Sequence, residues 1–342
     1  MKYMNCLICM LMIFAGWGCS DDTIQENKEP MVATDGGYLF AHMTDENYAR
    51  LFYSVSRDAF HWETLNKKRI VLPDYCGHPD ICQGKDGVFY MIGVQPNTGI
   101  PILWSSSDLV IWKSDKLKKS IFNKISDLGY KNEETYYGAP KMFYDETSGQ
   151  YIITWHAGKT GNDGEPSEWK TKRTFYILTS DFKTFTDPKH LFNFTGSDED
   201  MATIDVIIRK VGDEYCALIK DERWPEDAPE VAKTIRMAKS KTLTGPYTNP
   251  GAPITSLSVW HEAPILVPTV DGEGFFLYAE RYPKQYDMFK ASSIDGPWTE
   301  CYFQGPDARH GCIVRVNEKV YQAILKAVSY THLRAHETDQ YL

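Results

Sequence analysis

The sequence predicts an all-β fold, a five-bladed β-propeller, because two short motifs recur in alternation along the chain. In the first motif a small polar turn precedes an aromatic residue. Its five copies are Ser56-Arg57-Asp58 with Trp62, Ser106-Ser107-Asp108 with Trp112, Thr179-Ser180-Asp181 with Phe185, Lys239-Ser240-Lys241 with Tyr247, and Ser293-Ile294-Asp295 with Trp298. The third residues stand at 58, 108, 181, 241 and 295, at intervals of 50, 73, 60 and 54 residues. Such intervals are typical of propeller blades with loops of variable length.

The second series runs out of phase with the first, and each copy opens a strand-like run. Its members are His78-Pro79-Asp80-Ile81, Gly138-Ala139-Pro140-Lys141, Ile204-Asp205-Val206-Ile207, His261-Glu262-Ala263-Pro264 and Arg309-His310-Gly311-Cys312. We expect this series to mark the innermost strand of each blade. Inner strands line the axis of a propeller, so their first residues converge on one central pocket. The ionisable residues expected there are His78, Asp80, Lys141, Asp205, Glu262 and His310.

A second strand follows each inner strand in the predicted pattern. Runs rich in β-branched and aromatic residues lie at 88–92, 151–155, 214–218 and 275–279, each close after a turn pair. After His310 we expect only two more strands, near 313–316 and 320–325. The strands at 38–43 and 51–56 then complete the last blade, which joins the ring and removes a free sheet edge.

Composition fits this architecture and narrows the class of ligand. Aromatic residues make up 13% of the 342 residues, including 21 Tyr and 9 Trp, and the segment 38–327 is long enough for one propeller domain. Aromatic faces suit a surface that meets sugar rings. The formal net charge is −9 and no stripe of Lys and Arg is present, so a nucleic-acid partner is not expected.

The amino-terminal segment has the pattern of a targeting signal. Lys2 precedes an apolar stretch, and Gly16-Trp17-Gly18-Cys19 looks like a bacterial lipoprotein cleavage site. Residues 1–18 would then be the signal peptide, Cys19 would carry the lipid, and 19–37 would be a flexible tether. Ser20-Asp21-Asp22 resembles the acidic export signal of Bacteroidetes lipoproteins. These resemblances imply an outer-membrane lipoprotein at the cell surface; a periplasmic or secreted protein is the alternative.

The carboxyl-terminal segment and the cysteines contribute no fold information. Residues 328–342 contain Val-Ser-Tyr-Thr-His-Leu-Arg-Ala-His-Glu-Thr, which looks like a translated sequencing adapter, so we excluded them from fold reasoning. The cysteines of the predicted propeller are Cys76, Cys82, Cys216, Cys301 and Cys312. Their odd number and irregular spacing predict neither a disulfide framework nor a zinc site, although Cys76 and Cys82 could pair.

The order of the second series resembles the family 43 glycoside hydrolases and their relatives over nearly all of residues 38–325. The resemblance rests on an Asp in the first inner strand, Ala-Pro in the second, Asp205 in the third, Glu262 before a proline in the fourth, and His310-Gly311 in the fifth. It implies hydrolysis with inversion, for which a protonated and an ionised carboxyl group lie roughly 6.5–9.5 Å apart.

By motif position, the resemblance implies that Glu262 is the general acid, Asp205 modulates its pKa, and Asp80 is the general base. A neighbouring carboxylate and partial burial would raise the pKa of Glu262. The register of the first motif leaves an alternative, because His78 precedes Pro79 and Asp80 follows it. Asp80 reaches the water, or His78 serves as an unusual base, or hydrolysis follows another route.

The remaining candidates are substrate-binding residues. Lys141 could bind a sugar hydroxyl or an acidic sugar, or pair with Asp80 or Asp205. Arg281 and Arg309 could donate hydrogen bonds to hydroxyl groups or a uronate, and the resemblance gives His310 a place facing substrate or helping to hold a hydrated calcium ion. Five aromatic residues are candidate sugar platforms, of which we expect about two to reach ligand: Trp104, Tyr137, Trp155, Trp260 and Tyr282.

The sequence thus predicts an exo-acting glycoside hydrolase that removes terminal arabinose, xylose or galactose-type sugars, with a carbohydrate as its partner and no required cofactor. A structural calcium ion in the central channel is the one metal that the resemblance leaves open. Two alternatives remain. One is a surface glycan-binding propeller without catalysis, and the other is a related propeller enzyme that acts on algal anhydro-sugars with a histidine as acid or base.

Overall fold

The computed structural model describes residues 36–164 and 168–327. The predicted signal peptide, the tether up to residue 35 and the adapter-like tail lie outside the described residues. Within the described part of the chain, no helix is long and apolar enough to span a membrane.

The described residues are mostly β-strand, and the strands are short. They are β1 (Gly37–Met43), β2 (Phe52–Ser56), β3 (Glu63–Thr64), β4 (Ile81–Gln83), β5 (Phe89–Gln95), β6 (Ile100–Ser106), β7 (Lys113–Lys116), β8 (Tyr130–Lys131), β9 (Gly138–Asp145), β10 (Gln150–Lys159), β11 (Arg173–Thr179), β12 (Lys189–His190), β13 (Thr203–Val211), β14 (Glu214–Asp221), β15 (Ile235–Ser240), β16 (His261–Pro268), β17 (Phe275–Arg281), β18 (Gln285–Ala291), β19 (Thr299–Cys301) and β20 (Arg309–Val316). The helices are α1 (Lys119–Asn123) and α2 (318–327), and 3-10 turns lie at Asn66–Lys68, Lys124–Leu128, Trp169–Thr171 and Gly196–Asp198.

The strands form five antiparallel sheets, which are the blades of a five-bladed β-propeller. Blade 1 is β4-β5-β6-β7, blade 2 is β9-β10-β11-β12 with β8 paired to β10, blade 3 is β13-β14-β15, and blade 4 is β16-β17-β18-β19. Blade 5 combines β20 with β1, β2 and β3. The predicted fold class is confirmed, as is closure of the last blade by amino-terminal strands.

The repeated polar turn ends the third strand of its blade by local hydrogen bonds. In blade 5, Ser56 Oγ accepts the amide of Ala59 at 2.9 Å, and Asp58 Oδ1 accepts the next two amides at 2.8 Å each. Ala59 has a φ of 68°, which reverses the chain. The same turn recurs at Ser106 and Asp108 in blade 1 and at Thr179 and Asp181 in blade 2. The sequence period therefore arises from side-chain capping of these turns.

The apolar core of the described residues lies between neighbouring blades. Its clusters each join the facing sides of two sheets, as with Ile92 of blade 1 and Ile153 of blade 2, or Leu218 of blade 3 and Leu277 of blade 4. Because each blade buries both faces in this way, the inner strands are held in fixed positions around the axis.

One expectation about the carboxyl-terminal part of the propeller was wrong. Residues 320–325 lie in the helix α2 instead of a strand. Asn317 caps this helix by accepting the Val320 amide at 2.9 Å, and Tyr321 and Ile324, three residues apart, bury one face against the core. All five described cysteines are free thiols, so Cys76 and Cys82 are not paired.

Candidate active site

Four inner strands begin with the same backbone irregularity, and it shapes one end of the axis. Near its start each strand has a residue of positive φ, and its pairing with the second strand shifts register there. These residues are Ala139 (φ 40°), Asp205 (51°), Ala263 (45°) and His310 (20°). Such β-bulges redirect side chains, and left-handed non-glycine residues are strained and cluster at functional sites.

At this end of the axis lies a cavity of about 430 Å³ to which all five blades contribute. That volume falls within the range of small-ligand pockets. Its inner walls are formed by His78, Ala139, His156, Ile204, Asp205, Lys220, Glu262, Arg309 and His310. The second series of motifs therefore converges as predicted, with Asp205, Glu262, His78, Arg309 and His310 together.

Glu262 is buried and surrounded by three cationic side chains. Its carboxylate lies 2.9 Å from Lys220 Nζ, 3.1 Å from Arg309 Nη2 and 3.2 Å from His310 Nε2. Burial alone would raise the pKa of Glu262, but Lys220 and His310 outweigh burial and lower that pKa well below its usual range. The raised pKa expected for Glu262 was wrong, because blades 3 and 5 bring cationic partners to it that its own strand does not reveal.

Asp205 shows the opposite shift. Its Oδ2 accepts the backbone amide of Ala263 at 3.1 Å, and the side chain is buried. Burial raises the pKa of Asp205, and the nearby charge of Glu262 raises it further. One oxygen of each of these carboxylates lies within 4.8 Å of the other and of a ring nitrogen of His310. Two carboxyl groups so close and so differently shifted can hold a proton on one and a charge on the other.

The second strands contribute charged residues that sequence reasoning missed. Lys220 lies opposite Ile204 in blade 3, Glu280 lies opposite Glu262 in blade 4, and His156 lies opposite Gly138 in blade 2. Glu280 binds Arg309 Nε at 2.8 Å and accepts the His310 amide. The available signal was a charged or polar residue at the end of an otherwise apolar run, directly opposite the start of an inner strand.

His78 lies on the other side of the cavity and is stacked on His310. The ring centroids are 4.1 Å apart and the rings are inclined by 19°. The hydroxyl groups of Tyr48 and Tyr136 both hydrogen-bond His78 Nε2, Tyr48 at 2.8 Å. Burial lowers the pKa of His78, and the charge of His310 lowers it further. His78 is therefore a neutral imidazole at neutral pH.

The pKa of His310 is shifted in the opposite direction from that of its stacking partner, His78. Burial alone would lower the pKa of His310, but Glu280 and Glu262 outweigh burial and raise that pKa above its ordinary value. Of the two groups, the His310 imidazole therefore holds the proton and Glu262 is the carboxylate. A proton held 3.2 Å from a buried carboxylate can be passed to a bound oxygen atom.

Asp80 is buried but does not line the cavity. Its Oδ2 accepts the amide of Met142 at 2.7 Å, in the neighbouring inner strand. Pro79 and Pro140 occupy equivalent positions, so His78 corresponds to Ala139 and Asp80 to Lys141. A step of two residues keeps the same face of a strand but moves the side chain about 7 Å along it. The structure therefore brings His78 to the cavity and leaves Asp80 one level deeper.

Lys141 is also outside the cavity. Its side chain is buried, and neither an ion pair nor a hydrogen-bond partner for Nζ is found among the described residues. The expected pairing with Asp80 or Asp205 is thus not formed.

Trp155 and Arg281 were also predicted to bind substrate, but both lie away from the cavity. Trp155 is in the core between blades 1 and 2, where its Nε1 donates to Asn132 at 2.9 Å. Arg281 binds Asp287 at the edge of blade 4. Trp104 and Tyr137 are core residues as well. These aromatic residues stabilise blade packing, because their side chains lie in the apolar clusters between blades.

Half-exposed aromatic residues surround the mouth of the cavity. Trp260 and Tyr282, with 39% and 51% of their surface exposed, are the two of the five predicted platforms that lie here. Tyr48, Trp169 and Trp224 complete this aromatic rim and come from loops between strands. Trp224 packs edge-on against Trp260 with centroids 5.6 Å apart.

The donor set of the cavity is poorly suited to a metal ion. Asp205, Glu262 and His310 have ligand atoms within 4.8 Å of one another, which is compatible with one cation. However, the oxygens of Glu262 are already bound by Lys220 and Arg309. A divalent ion would lie beside these two cations, and their repulsion opposes its binding. The arrangement therefore does not fit the calcium ion that the family resemblance left open.

Together, the fold and the cavity define a five-bladed propeller with buried carboxylates on its axis. The sequence of residues 34–322 matches the profile of a family related to glycoside hydrolase family 43 and described as a probable glycosyl hydrolase domain. Because this match spans most of the 342 residues, the chain belongs to that family. The resemblance predicted from the motifs is confirmed. The comparison with curated proteins found no match.

Several solved structures are similar in fold. The xylan β-1,4-xylosidase of Bacillus halodurans is 17% identical with a TM-score of 0.50, over 77% of this chain and 52% of that one. The catalytic domain of an α-L-arabinofuranosidase of Coprinopsis cinerea is 14% identical with a TM-score of 0.46, over 68% and 70%. An exo-β-1,3-galactanase of Phanerochaete chrysosporium is 17% identical with a TM-score of 0.45, over 66% of this chain. The chain spans 49% of the length of that galactanase, and the likeness concerns the fold.

Proposed function

We propose that the protein is an exo-acting glycoside hydrolase that removes a terminal arabinose, xylose or galactose-type sugar from a polysaccharide or oligosaccharide. The observation that carries this proposal is the pair of adjacent buried carboxyl groups, Asp205 and Glu262, whose pKa values are shifted in opposite directions. Membership of a glycosyl hydrolase family supports a glycosidic bond as the target. Exo action is supported by the small size of the cavity, about 430 Å³, and by its position at one end of the propeller axis.

The charges around the cavity favour a neutral sugar. Lys220 lies 2.6 Å from Glu222 and 2.9 Å from Glu262, and Lys233 lies 2.7 Å from Glu222. Arg309 is bound by Glu280 and Glu262. A uronate would need a cation that these carboxylates do not already neutralise, so arabinose, xylose and galactose fit better than an acidic sugar.

We assign proton donation to Glu262 together with His310. The proton that His310 holds can pass through the 3.2 Å contact to Glu262 and from there to the leaving oxygen of the glycoside. Asp205 modulates this pair, since its own charge state depends on that of Glu262. Lys220 and Arg309 stabilise the carboxylate that forms when the proton has left.

The group that activates water must lie elsewhere, because the oxygens of Asp205 and Glu262 are closer than the roughly 6.5–9.5 Å of an inverting pair. The neutral imidazole of His78 lines the cavity, stacked on the ring of His310, and can accept a proton from water. Asp80, predicted as the base, is one level deeper and does not support that role directly.

Hydrolysis of a substrate panel tests the proposed function. The protein is incubated with arabinan, xylan, galactan, agar and aryl-glycosides, and released sugars are identified by chromatography. Release of one monosaccharide without larger products supports the proposal and identifies the sugar. The Glu262→Gln variant is the control for contaminating activity. Binding of one polysaccharide with no release by the parent protein would instead indicate the glycan-binding alternative.

We further propose that the protein needs no cofactor and is attached to the outer membrane by a lipid on Cys19, at the cell surface. The first point is supported by Lys220 and Arg309, which supply positive charge beside Glu262. The second is supported by the sequence around Cys19 alone. Activity that survives EDTA supports the proposal that no metal cofactor is needed. A Cys19→Ser variant that still fractionates with outer membranes would contradict the second.

A further inference from the structure

Beneath the cavity, the axis contains four buried polar atoms for which the described residues offer no hydrogen-bond partner. They are His78 Nδ1, Asp80 Oδ1, Lys141 Nζ and His310 Nδ1. Asp80 and Lys141 follow the cavity residues His78 and Ala139 by two positions, so they lie about 7 Å further along their inner strands. Buried polar atoms are almost always hydrogen-bonded, so an unpaired group of four requires an explanation.

Asp80 and Lys141 are close neighbours with opposite charges. The amide that Asp80 binds at 2.7 Å belongs to Met142, the residue directly after Lys141. Yet the described residues provide no ion pair within 4.0 Å for either side chain, although Asp80 is only 2% exposed and Lys141 only 3%. An isolated buried charge costs several kcal/mol unless another group solvates it. Asp80 Oδ1 and Lys141 Nζ therefore both require a polar partner that the described residues do not supply.

The two stacked histidines each have an unpaired ring nitrogen as well. His78 uses Nε2 to bind Tyr48 and Tyr136, and His310 uses Nε2 to bind Glu262. In both rings Nδ1 is thus turned away from these cavity partners. Water is the species that satisfies a cation, an anion and two imidazole nitrogens at once, because it both donates and accepts and typically makes about three hydrogen bonds when buried.

We propose that ordered water in the axis bridges Lys141, Asp80, His78 and His310, and that Lys141 and Asp80 act through it as positioning residues for the His78 imidazole. We call these four side chains and their water the axial floor. The inference rests on the hydrolysis proposed above for its role, although the floor itself does not depend on that activity.

The floor would set both the tautomer and the charge of His78. Water that accepts a proton from Nδ1 leaves Nε2 as the basic nitrogen on the cavity side. The positive charge of Lys141 also lowers the pKa of His78, after the larger contributions of burial and His310. The titratable and charged groups that face His78 from the surrounding elements are Tyr48, Asp80, Tyr136, Lys141, His156, Asp205, Glu262 and His310.

The test replaces Lys141 by an apolar side chain of similar length. In Lys141→Met, the ¹⁵N shifts of the His78 ring are followed by NMR across a pH titration of the substrate-free full chain. We expect the His78 midpoint to rise by about one pH unit, because a nearby positive charge is lost. The acid limb of kcat/KM should move upward by a similar amount. Asp80→Asn should move both in the opposite direction, and Lys116→Met, on the exposed outer strand β7, should move neither.

The outcomes separate this inference from the proposed function. A folded Lys141→Met protein with an unchanged His78 titration and tautomer overturns the axial floor. If Asp80→Asn does not fold, Lys141→Met alone decides, since it leaves the bond from Asp80 to Met142 in place. A shifted titration in a protein that releases no sugar supports the floor and contradicts the hydrolase proposal instead.

Discussion

The two sides of the cavity differ in their electrostatics. On the side of blades 3 to 5, the charged wall consists of Asp205, Lys220, Glu262, Arg309 and His310, where carboxylates are bound by cations or backbone amides. On the side of blades 1 and 2, the neutral wall consists of His78, Ala139 and His156. Burial lowers the pKa of both histidines in that wall, and each has an unpartnered Nδ1.

The difference indicates that the charged wall and the neutral wall have separate roles in the proposed reaction. The charged wall is preorganised, since its ions are already held in place before a ligand arrives, and preorganised charge is the most effective kind in catalysis. The neutral wall retains hydrogen-bonding capacity, so it can respond to water and sugar hydroxyl groups. The following predictions test whether the two walls have these separate roles.

The largest effect is expected from Glu262→Gln, which removes the carboxylate of the charged wall. We expect kcat to fall by about 10²–10⁴, because the variant cannot relay a proton. Activity is measured on the sugar identified in the substrate panel. Glu280→Gln is the matched control, since Glu280 lies opposite Glu262 and also binds Arg309 but does not line the cavity.

For Glu280→Gln we expect a smaller fall in kcat than for Glu262→Gln, because the variant weakens the hold on the His310 proton but leaves the Glu262 carboxylate in place. Equal losses in the two variants, with unchanged melting temperatures, would mean that the charged wall acts only as a unit. Full activity of Glu262→Gln would end the assignment of Glu262 as donor.

The next largest effect is expected on the neutral wall. His78→Asn should lower kcat by about 10², whereas Asp80→Asn should lower it less than tenfold at the pH optimum, because Asp80 does not line the cavity. Both variants are compared over a full pH profile. If Asp80→Asn abolishes turnover while His78→Asn retains it, Asp80 is the base and the cavity differs when substrate is bound.

A smaller effect is expected at the aromatic rim. Trp260→Ala should raise KM about tenfold with little change in kcat, because a stacking platform binds ground state and transition state alike. Tyr302→Ala, on an 89% exposed aromatic residue away from the cavity, should change neither constant. Trp155→Ala should instead lower stability by about 3–5 kcal/mol, as for a core aromatic. A large fall in kcat for Trp260→Ala would give that residue a role in the chemical step.

The smallest effect concerns stability in acid and the histidine His156 of the neutral wall. Its folded-state pKa lies well below the ordinary value of about 6.5. Below pH 6.5 the unfolded chain therefore binds a proton at this histidine, whereas the folded protein does not. Stability is therefore complete above pH 6.5 and falls toward acid, by up to about 1.4 kcal/mol per pH unit for this histidine. His156→Gln should reduce the slope of unfolding free energy against pH by about one proton.

Identical slopes for the parent and His156→Gln would show that His156 is protonated in the folded protein. The two walls would then differ less in charge than the structure indicates.

The fold could be predicted because its signal is local. A Ser or Thr and an Asp that cap the same tight turn occupy adjacent positions in sequence, so the period of the blades is visible directly. The helix α2 was not predicted, because its evidence is only one capping residue, Asn317, and two apolar residues three apart. Such a short pattern is also compatible with a strand.

The candidate site could be predicted in part. Asp205, Glu262 and His310 came from the inner-strand motifs and lie together. Lys220 could not be assigned, because a charge at the end of a strand usually faces solvent, and only the pairing with Ile204 places it beside the cavity. The depth of Asp80 could not be assigned, because the motif places His78 before Pro79 and Asp80 after it, and only the structure shows which of the two lines the cavity. Opposite pKa shifts in adjacent carboxylates depend on cations from several blades, which sequence order does not reveal.

The way in which blade 5 closes the ring determines when the cavity is completed. Its inner strand β20 bears Arg309 and His310, and it is held in the ring by pairing with β1, more than 260 positions earlier in the chain. During synthesis on the ribosome, β1 therefore cannot pair with β20 until nearly all of the propeller has emerged. The cavity acquires its last two ionisable side chains only at that moment, so it is incomplete until the ring closes. Proteolytic loss of either end of the ring should therefore abolish the proposed hydrolysis.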